Sequence, residues 1–392
     1  MLDITSIIKI WENQHNVLLY GPPGTGKTRL LSELHNYLTA ETNNSSNTLA
    51  ITSDASLPLE NITSAVSSDE IPRPIKTYWT TFHQSYGYED FILGYRPSSS
   101  EGNITLQPYA GILLDAILEL NDDDSDFRSV VIFIDEVNRA NTSKVFGEFM
   151  TFLDFDYRTS GVIPLPLSLK QLIYENGISE KIRRLDGSFS TLKSNIYFPK
   201  DIYIVCTMNS VDRSAIPIDS ALARRFNRIE MPPERLVLEE HWGVSLPHSI
   251  HNGNDYSPYE VALRLFETLN AHIANDLGAE FELGHGLFLK LTGTHQESLD
   301  NETMSNRTWQ DLAELWDDII FPQIEERYAG QPEAILRILR VQEFNDMDYV
   351  WQFRKVPSLT ESIRILERTR VSGNSIEKIK KSFILLVSDV SW

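Results

Sequence analysis

The sequence holds a single cysteine, Cys206, in 392 residues. One thiol excludes an intramolecular disulfide framework and agrees with a reducing compartment. Long apolar runs are also absent, and no window approaches the roughly 20 apolar residues that a membrane-spanning helix needs. The first residues, MLDITSIIKIWENQHN, lack the basic start and long apolar run of a signal peptide. We therefore predict a cytoplasmic protein without a membrane span.

Positive charge is scarce, with 35 Lys and Arg against 55 Asp and Glu, a formal net charge of −20. This balance argues against a broadly basic surface that holds nucleic acid non-specifically, although a local basic stripe, for example along the pore of a ring, stays open. His83 and His285 have no Cys or His partners at metal-binding spacing, so a structural zinc is not expected. The apolar content of 41% is ordinary for a globular chain of two or three structural units.

Five apolar segments alternate with helical patterns, which predicts an α/β fold with a mostly parallel sheet covered on both faces. The segments are NVLLY, IKTYWTTFH, SVVIFIDE, DIYIVCTMN and FNRIEMP. The stretch QSYGYEDFILGYRPSSSEGNITLQPYAG has the Gly, Pro and aromatic content of an insertion. We expect a β-hairpin between Asp156 and Lys200, and one helix over NTSKVFGEFMTFLD.

The pattern becomes helical after the fifth strand, so we predict three domains. Residues 1–235 form the α/β core, residues 236–345 a smaller helical lid, and residues 346–392 a helix-rich extension. The extension ends in the apolar KSFILLVSDVSW, which is a candidate dimerising or docking face.

The stretch GPPGTGKT has the G-x-x-x-x-G-K-[ST] pattern between a strand and a helix, which is typical of a phosphate-binding loop (P-loop). Its glycines let backbone N–H groups wrap phosphates, aided by the helix N-terminus. Lys27 would reach the β and γ phosphates, and the Thr28 hydroxyl would ligate Mg²⁺. The predicted nucleotide-binding residues are Gly21, Pro22, Pro23, Gly24, Thr25, Gly26, Lys27 and Thr28.

Polar residues at two other strand ends complete the predicted site. Asp135 would hold Mg²⁺, and Glu136 would orient and polarise the attacking water. Asn209 would reach the γ-phosphate or that water, the alternative being an ordinary turn asparagine. Arg224 and Arg225 would cross to the nucleotide of a neighbouring subunit, the alternative being a basic helix end that complements the helix dipole. Together these residues predict a P-loop nucleoside triphosphatase.

The order of motifs, GPPGTGKT, FIDE, TMN, ALARRF and then a helical lid, resembles that of AAA+ proteins. DEVNRA is shared by two branches, the MoxR-type ATPases and the McrB-type GTPases of modification-dependent restriction. TFHQSYGYEDFILGYRP, IDEVNRANTSKVFGEFMTFLD and MNSVDRS, which is similar to the signature MNTADRS, favour the McrB type. FELGHGLFL and LWDDIIFPQIEERY also resemble that family's lid.

The resemblance implies a GTP-hydrolysing homo-hexameric ring in the prokaryotic cytoplasm, with GTP (or ATP) and Mg²⁺ as cofactors. It also implies a McrC-type nuclease subunit as partner, and DNA handled through that partner or the pore. In this picture Asn209 and Glu136 position the attacking water. Asp212 and Arg213 would lie at the subunit interface and take part in catalysis there. The alternative for this pair is a local ion pair that caps the turn.

Two other functions stay open at this point. One is a MoxR-like ATPase that remodels or activates a protein partner, and the other is a scaffold whose nucleotide-gated assembly is the output. No N-K-x-D motif for guanine follows a strand, so the preference for GTP rests on the resemblance. Many McrB-type proteins carry a DNA-reading domain ahead of the motor, whereas this sequence begins close to its P-loop. Either the chain is truncated there or another protein reads the target.

Overall fold

The structure is a computed structural model. It describes residues 3–11, 13–44, 74–100, 103–159, 167–172, 178–193, 197–211, 220–250, 256–291, 301–341, 349–357, 362–367 and 369–388. Contacts divide the chain into two compact units, which are described separately below. The first unit comprises Met1–Tyr20 and Gly26–Met231, and the second comprises Gly21–Thr25 and Pro232–Trp392. The predicted domain boundaries at residues 235 and 345 stay predictions.

A five-stranded sheet lies at the centre of the first unit. Numbered in chain order, its strands are β1 (Asn16–Gly21), β2 (Ile75–Thr81), β5 (Ser129–Asp135), β8 (Ile202–Asn209) and β9 (Asn227–Glu230). Their order is β2-β5-β8-β1-β9, and β2 with β5, β5 with β8, and β1 with β9 pair in parallel. The five predicted strands are confirmed. β1, β5 and β8 are mostly buried, which explains their continuous apolar runs, whereas the edge strands β2 and β9 are only partly buried. Cys206 lies in β8 and is fully buried.

Helices surround this sheet. They are α1 (Ile4–Trp11), α2 (Lys27–Asn44), α3 (Tyr88–Phe91), α4 (Ile112–Leu120), α5 (Thr142–Phe146), α6 (Phe155–Thr159), α7 (Leu167–Lys170) and α8 (Ser220–Ala223). The single helix predicted over NTSKVFGEFMTFLD is wrong. The α-helix ends at Phe146, and a 3₁₀ segment follows over Gly147–Leu153. Gly147 has a φ of 49°, and a Cβ there would lie 2.9 Å from the ring of Tyr88. This glycine therefore breaks the helix where the chain packs closely.

A second sheet is built from two hairpins that are far apart in sequence. Its strands are β3 (Leu93–Ser100), β4 (Asn103–Ala110), β6 (Ile178–Arg183) and β7 (Phe189–Lys193). β3 pairs with β4 and β6 with β7 in antiparallel fashion, and β4 meets β6 in parallel at Tyr109 and Arg183. The hairpin predicted between Asp156 and Lys200 is confirmed. The strands of the earlier insertion were not predicted from its sequence.

Buried charges hold this second sheet to α4. Arg184, whose side chain is 6% exposed, lies 3.0 Å from Asp115 Oδ1 and also pairs with Glu119. Glu119 accepts from Lys76 Nζ at 2.7 Å, and Tyr78 donates its hydroxyl to Asp115 at 2.5 Å. The carboxylates therefore have cationic and hydroxyl partners, which buried charges require.

The second unit is mainly helical, as predicted. Its helices are α9 (Arg235–Trp242), α10 (Pro258–Asp276), α11 (His285–Phe288), α12 (Asn301–Leu315), α13 (Phe321–Arg327), α14 (Pro332–Ile338) and α15 (Ile376–Val387). The longest, α10, begins with a capping box in which Ser257 and Glu260 satisfy each other's backbone N–H groups. A π-helical turn, Trp316–Ile320, joins α12 to α13.

The C-terminal part of this unit contains a hairpin that the helix-rich prediction missed. β10 (Gln352–Pro357) and β11 (Ser362–Glu367) pair in antiparallel fashion ahead of α15. Trp351 and Phe383, on either side of the hairpin in sequence, pack against Trp316 with ring centroids 5.2 and 5.7 Å away. The described part of residues 346–392 therefore shares the core of the helices before it. Within the described ranges, no helix is both long and apolar enough to cross a bilayer.

Candidate functional site

The P-loop runs from the end of β1 at Gly21 to the start of α2 at Lys27. Gly24 and Gly26 have φ values of 81° and 86°. A side chain is strained in this left-handed region, so the loop needs glycine at both positions. The hydroxyl of Thr25 donates to the carbonyl of Pro22 at 3.1 Å, which closes the loop on itself. This placement at a helix N-terminus suits the binding of phosphate.

Lys27 follows the loop and is 5% exposed. Burial lowers the pKa of its ammonium group to about 8, while the carboxylates of Glu136 and Asp135 oppose this shift. The charged form of an ammonium group that has lost much of its hydration is stabilised by an anionic ligand.

Three hydroxyl and carboxylate groups converge beside the loop. Thr28 Oγ1 lies 3.2 Å from Asp135 Oδ1, and Thr207 donates its hydroxyl to that same oxygen. Hydroxyl and carboxylate oxygens are the hard donors that Mg²⁺ prefers. Thr28 and Asp135, both predicted from the sequence, therefore fit the metal. Thr207 was not predicted as a site residue. The sequence feature that could have identified it is its position two residues before Asn209 in the TMN motif.

Glu136 is fixed by contacts on its backbone and on its carboxylate. It adopts left-handed backbone angles (φ 56°, ψ 46°), and its N–H donates to Thr207 Oγ1 at 3.1 Å. Asn209 Nδ2 lies 2.5 Å from Glu136 Oε1, and Arg139 Nε lies 3.4 Å from Oε2. A non-glycine residue with positive φ is uncommon and favours a functional role here.

Asn138 and Arg139 contact Asn209 and Glu136, although neither was predicted as a site residue outside the DEVNRA motif. Asn138 Nδ2 donates to the backbone carbonyl of Asn209 at 3.0 Å. The structure therefore brings together Lys27, Thr28, Asp135, Glu136 and Asn209, as the sequence predicts. Their catalytic and binding roles stay predictions.

The two arginines after α8 differ in their surroundings. The side chain of Arg225 is 9% exposed, donates from Nη1 to the carbonyl of Ala221 at 2.8 Å and lies 3.8 Å from Asp154. Arg224 is exposed. Asp212 and Arg213 lie outside the described residues.

Two family models match the chain. The AAA domain (dynein-related subfamily) matches residues 16–226, which covers four strands of the central sheet (β1, β2, β5 and β8) and every site residue discussed above from Lys27 to Arg225. The alpha-helical lid domain of McrB matches residues 262–336 in the second unit.

Two curated relatives are restriction proteins. The chain is 28% identical over 337 residues to the type IV methyl-directed restriction enzyme EcoKMcrB subunit of Escherichia coli K12, covering 84% of this chain. It is 24% identical over 263 residues to the type II restriction enzyme BsuMI component YdiS of Bacillus subtilis 168, covering 60% of this chain.

The match covers 57% of the first relative and 63% of the second, so the chain spans less than two thirds of either protein. The AAA model, however, covers more than half of this chain, and it is followed by the McrB lid. The site geometry agrees with these matches, since the P-loop, Asp135, Glu136 and Asn209 meet at one edge of the parallel sheet. The chain therefore belongs to the dynein-related subfamily of AAA domains, and part of its second unit is similar to the alpha-helical lid domain of McrB.

Proposed function

We propose that this chain is the GTP-hydrolysing ring motor of a McrBC-like DNA restriction or antiviral defence system, working with a separate nuclease subunit. The observation that carries the hydrolytic part is the 2.5 Å contact between Asn209 Nδ2 and Glu136 Oε1. A nucleotide-binding scaffold has no need of a fixed carboxylate beside its P-loop. The restriction context is supported by the two relatives, which are both restriction proteins.

In this proposal the P-loop and Lys27 bind and orient the triphosphate. Backbone N–H groups around Gly24 and Gly26 bind phosphate oxygens, and the buried ammonium group of Lys27 adds a positive charge. Thr28 and Asp135 would hold Mg²⁺, since their oxygens lie 3.2 Å apart. When bound, the Mg²⁺–nucleotide complex supplies the phosphoryl group and partial neutralisation of its charge.

Glu136 then acts on the attacking water. Its Oε1 accepts from Asn209, and its Oε2 lies 3.4 Å from Arg139 Nε, so the carboxylate keeps one orientation. An ionised carboxylate accepts a hydrogen bond from water and takes up the proton as the water attacks. Asn209 keeps Glu136 in place and gives the water a second polar neighbour.

The remaining roles involve other subunits. We infer a homo-hexamer in which the exposed Arg224 reaches the neighbour's nucleotide and stabilises negative charge in the transition state. Arg225 is held within its own subunit by Ala221 and Asp154, so it serves to orient the end of α8. Asp212 and Arg213 are proposed to couple that interface to a McrC-type partner. The system would act in the prokaryotic cytoplasm, and DNA would be handled through the partner or the pore.

Steady-state phosphate release with GTP and with ATP tests this function. Glu136→Gln serves as the blank, because it keeps the shape of the side chain and removes the proton acceptor. We expect GTP turnover that this variant abolishes while nucleotide binding is retained. Selective ATP turnover would contradict the assignment of GTP and favour a remodelling ATPase. Equal turnover by the variant would remove Glu136 from the mechanism.

A further inference from the structure

A short segment of the second unit, Gly284–Phe288, lies against Pro23 and Gly24 of the P-loop. The N–H of Gly286 donates to the carbonyl oxygen of Gly24 at 2.8 Å. Leu287 also packs there, with its Cγ 3.6 Å from the position that a Cβ on Gly24 would take. Contacts therefore group Gly21–Thr25 with the second unit.

Gly284 and Gly286 are required by the close contact with the P-loop and not by their own backbone dihedral angles. Gly284 has φ −66° and ψ 143°, which any residue can adopt, and Gly286 has no positive φ either. A Cβ on Gly284 would overlap the carbonyl oxygen of Pro23 and the carbonyl carbon of Gly24. A Cβ on Gly286 would lie 2.8 Å from the carbonyl oxygen of Gly24. Close approach to the P-loop backbone is the physical reason for glycine at both positions.

The segment is itself anchored on its other side. His285 is 8% exposed, and the backbone N–H of Glu234 donates to its Nδ1 at 3.1 Å. Because Nδ1 accepts this bond, the neutral ring carries its proton on Nε2. A buried ring held in one tautomer and one orientation fixes the backbone of Gly284 and Gly286 on either side of it.

We propose that Gly284 and Gly286 are positioning residues that set the conformation of the P-loop for nucleotide. A P-loop binds phosphate through N–H groups, so its carbonyl oxygens have to be kept away from the anion. The carbonyl of Pro22 is bound by Thr25 Oγ1, and the carbonyl of Gly24 by Gly286 N–H. The second of these bonds comes from outside the loop. Through this bond, the position of the Gly284–Phe288 segment influences the affinity of the loop for phosphate.

Gly284→Ala tests this proposal, with Gly373→Ala as the matched control. Gly373 lies in the same unit, has no positive φ, and has open space where a Cβ would be. The first measurement is amide hydrogen exchange of the nucleotide-free protein, followed in peptic fragments that cover Gly284–Phe288. We expect exchange at least about tenfold faster in Gly284→Ala than in the wild type, because the Gly286 hydrogen bond is lost, and no change in Gly373→Ala. Equal exchange in the two variants would overturn the contact.

The second measurement is binding and turnover of GTP and ATP, and here the inference rests on the proposed function. Loss of one backbone hydrogen bond predicts a Kd and KM about tenfold higher in Gly284→Ala, with kcat within about twofold. Unchanged Kd alongside faster exchange would overturn the positioning role. Absence of nucleotide binding by the wild type would contradict the proposed function instead. The hydrogen-exchange measurement would still test the contact between Gly286 and Gly24.

A second variant, with a smaller steric overlap, keeps the proposal testable if Gly284→Ala does not fold. In Gly286→Ala the added methyl group meets one carbonyl oxygen at 2.8 Å, so a small shift of the segment relieves the overlap. We expect a smaller increase in Kd than in Gly284→Ala, with a thermal midpoint close to that of Gly373→Ala. A Kd equal to that of the wild type in Gly286→Ala, and in a folded Gly284→Ala, would contradict the proposal.

Discussion

Asn209 Nδ2 and Glu136 Oε1 lie 2.5 Å apart, which joins the ends of two neighbouring strands of the central sheet. Glu136 follows β5 directly, and Asn209 is the last residue of β8. Because β5 and β8 pair in parallel, their carboxyl ends meet at one edge. The contact therefore follows from the topology, and it ties the polar ends of both strands into one unit.

Asn209→Ala should slow hydrolysis without weakening nucleotide binding. Removal of the amide frees the Glu136 carboxylate to rotate, so we expect kcat to fall about 10- to 100-fold while KM stays within about twofold. Steady-state phosphate release measures both constants. Asn36→Ala, on the exposed side of α2, is the control and should behave like the wild type. A rise in KM alone would mean that Asn209 contacts nucleotide and does not orient Glu136.

Nucleotide binding should weaken as pH rises through the pKa of Lys27, which is about 8 in the nucleotide-free protein. Phosphates favour the charged ammonium group, so binding raises this pKa and takes up a proton above pH 8. Affinity should therefore fall by up to about tenfold per pH unit from pH 8 to 9.5.

Binding of a fluorescent GTP analogue between pH 7.5 and 9.5 measures this dependence, with Lys27→Arg as the control. The guanidinium group stays protonated over the whole range, so the variant should show a flat profile at whatever affinity it retains. Parallel profiles in the two proteins would assign the titration to another group.

Arg224→Ala and Arg225→Ala should fail in different ways. Arg224 is exposed, so its loss should leave the thermal midpoint unchanged, abolish turnover and be rescued in mixed assemblies with Lys27→Ala subunits. Arg225 contacts Ala221 and Asp154, so its loss should lower the thermal midpoint of its own subunit. Turnover and melting of the single and mixed proteins are the measurements. A mixture of Arg224→Ala and Lys27→Ala without activity would place the arginine's action inside one subunit.

Arg184→Ala should destabilise the first unit by about 3 kcal/mol, because Asp115 loses its cationic partner in a buried site. Glu119 keeps Lys76, which limits the loss. Thermal unfolding should show a midpoint lower by about 10 °C. Arg29→Ala removes an ion pair with Glu33 in which the arginine side chain is 73% exposed, and it should change the midpoint little. Similar shifts in both variants would show that the buried network adds no stability.

The sequence was sufficient for the features that depend on local patterns. Buried parallel strands such as SVVIFIDE have continuous apolar runs, and the P-loop has a fixed spacing of glycines. The helix break at Gly147 could not be predicted, because it depends on the ring of Tyr88, which is distant in sequence. Thr207 escaped notice for a similar reason, since its role depends on β8 pairing with β5.

The hairpins were the other main omission. β3 and β4 contain proline, serine and glycine, which lower strand propensity, and the pairing of β4 with β6 joins segments about 70 residues apart. β10 and β11 were hidden by the helical pattern around them and by charges such as Arg354 and Lys355. In both cases the strands are stabilised by partners that a local pattern does not reveal.

The isolation of Cys206 has a practical consequence. Its thiol is fully buried in the central sheet, burial raises its pKa well above the ordinary value, and the chain has no second cysteine. Thiolate is the species that reacts with maleimides, so the native protein should resist labelling. A cysteine introduced at an exposed position such as Arg29 would carry a fluorophore or spin label at one defined point. Distances between the subunits of the proposed ring can then be measured without first removing the native cysteine.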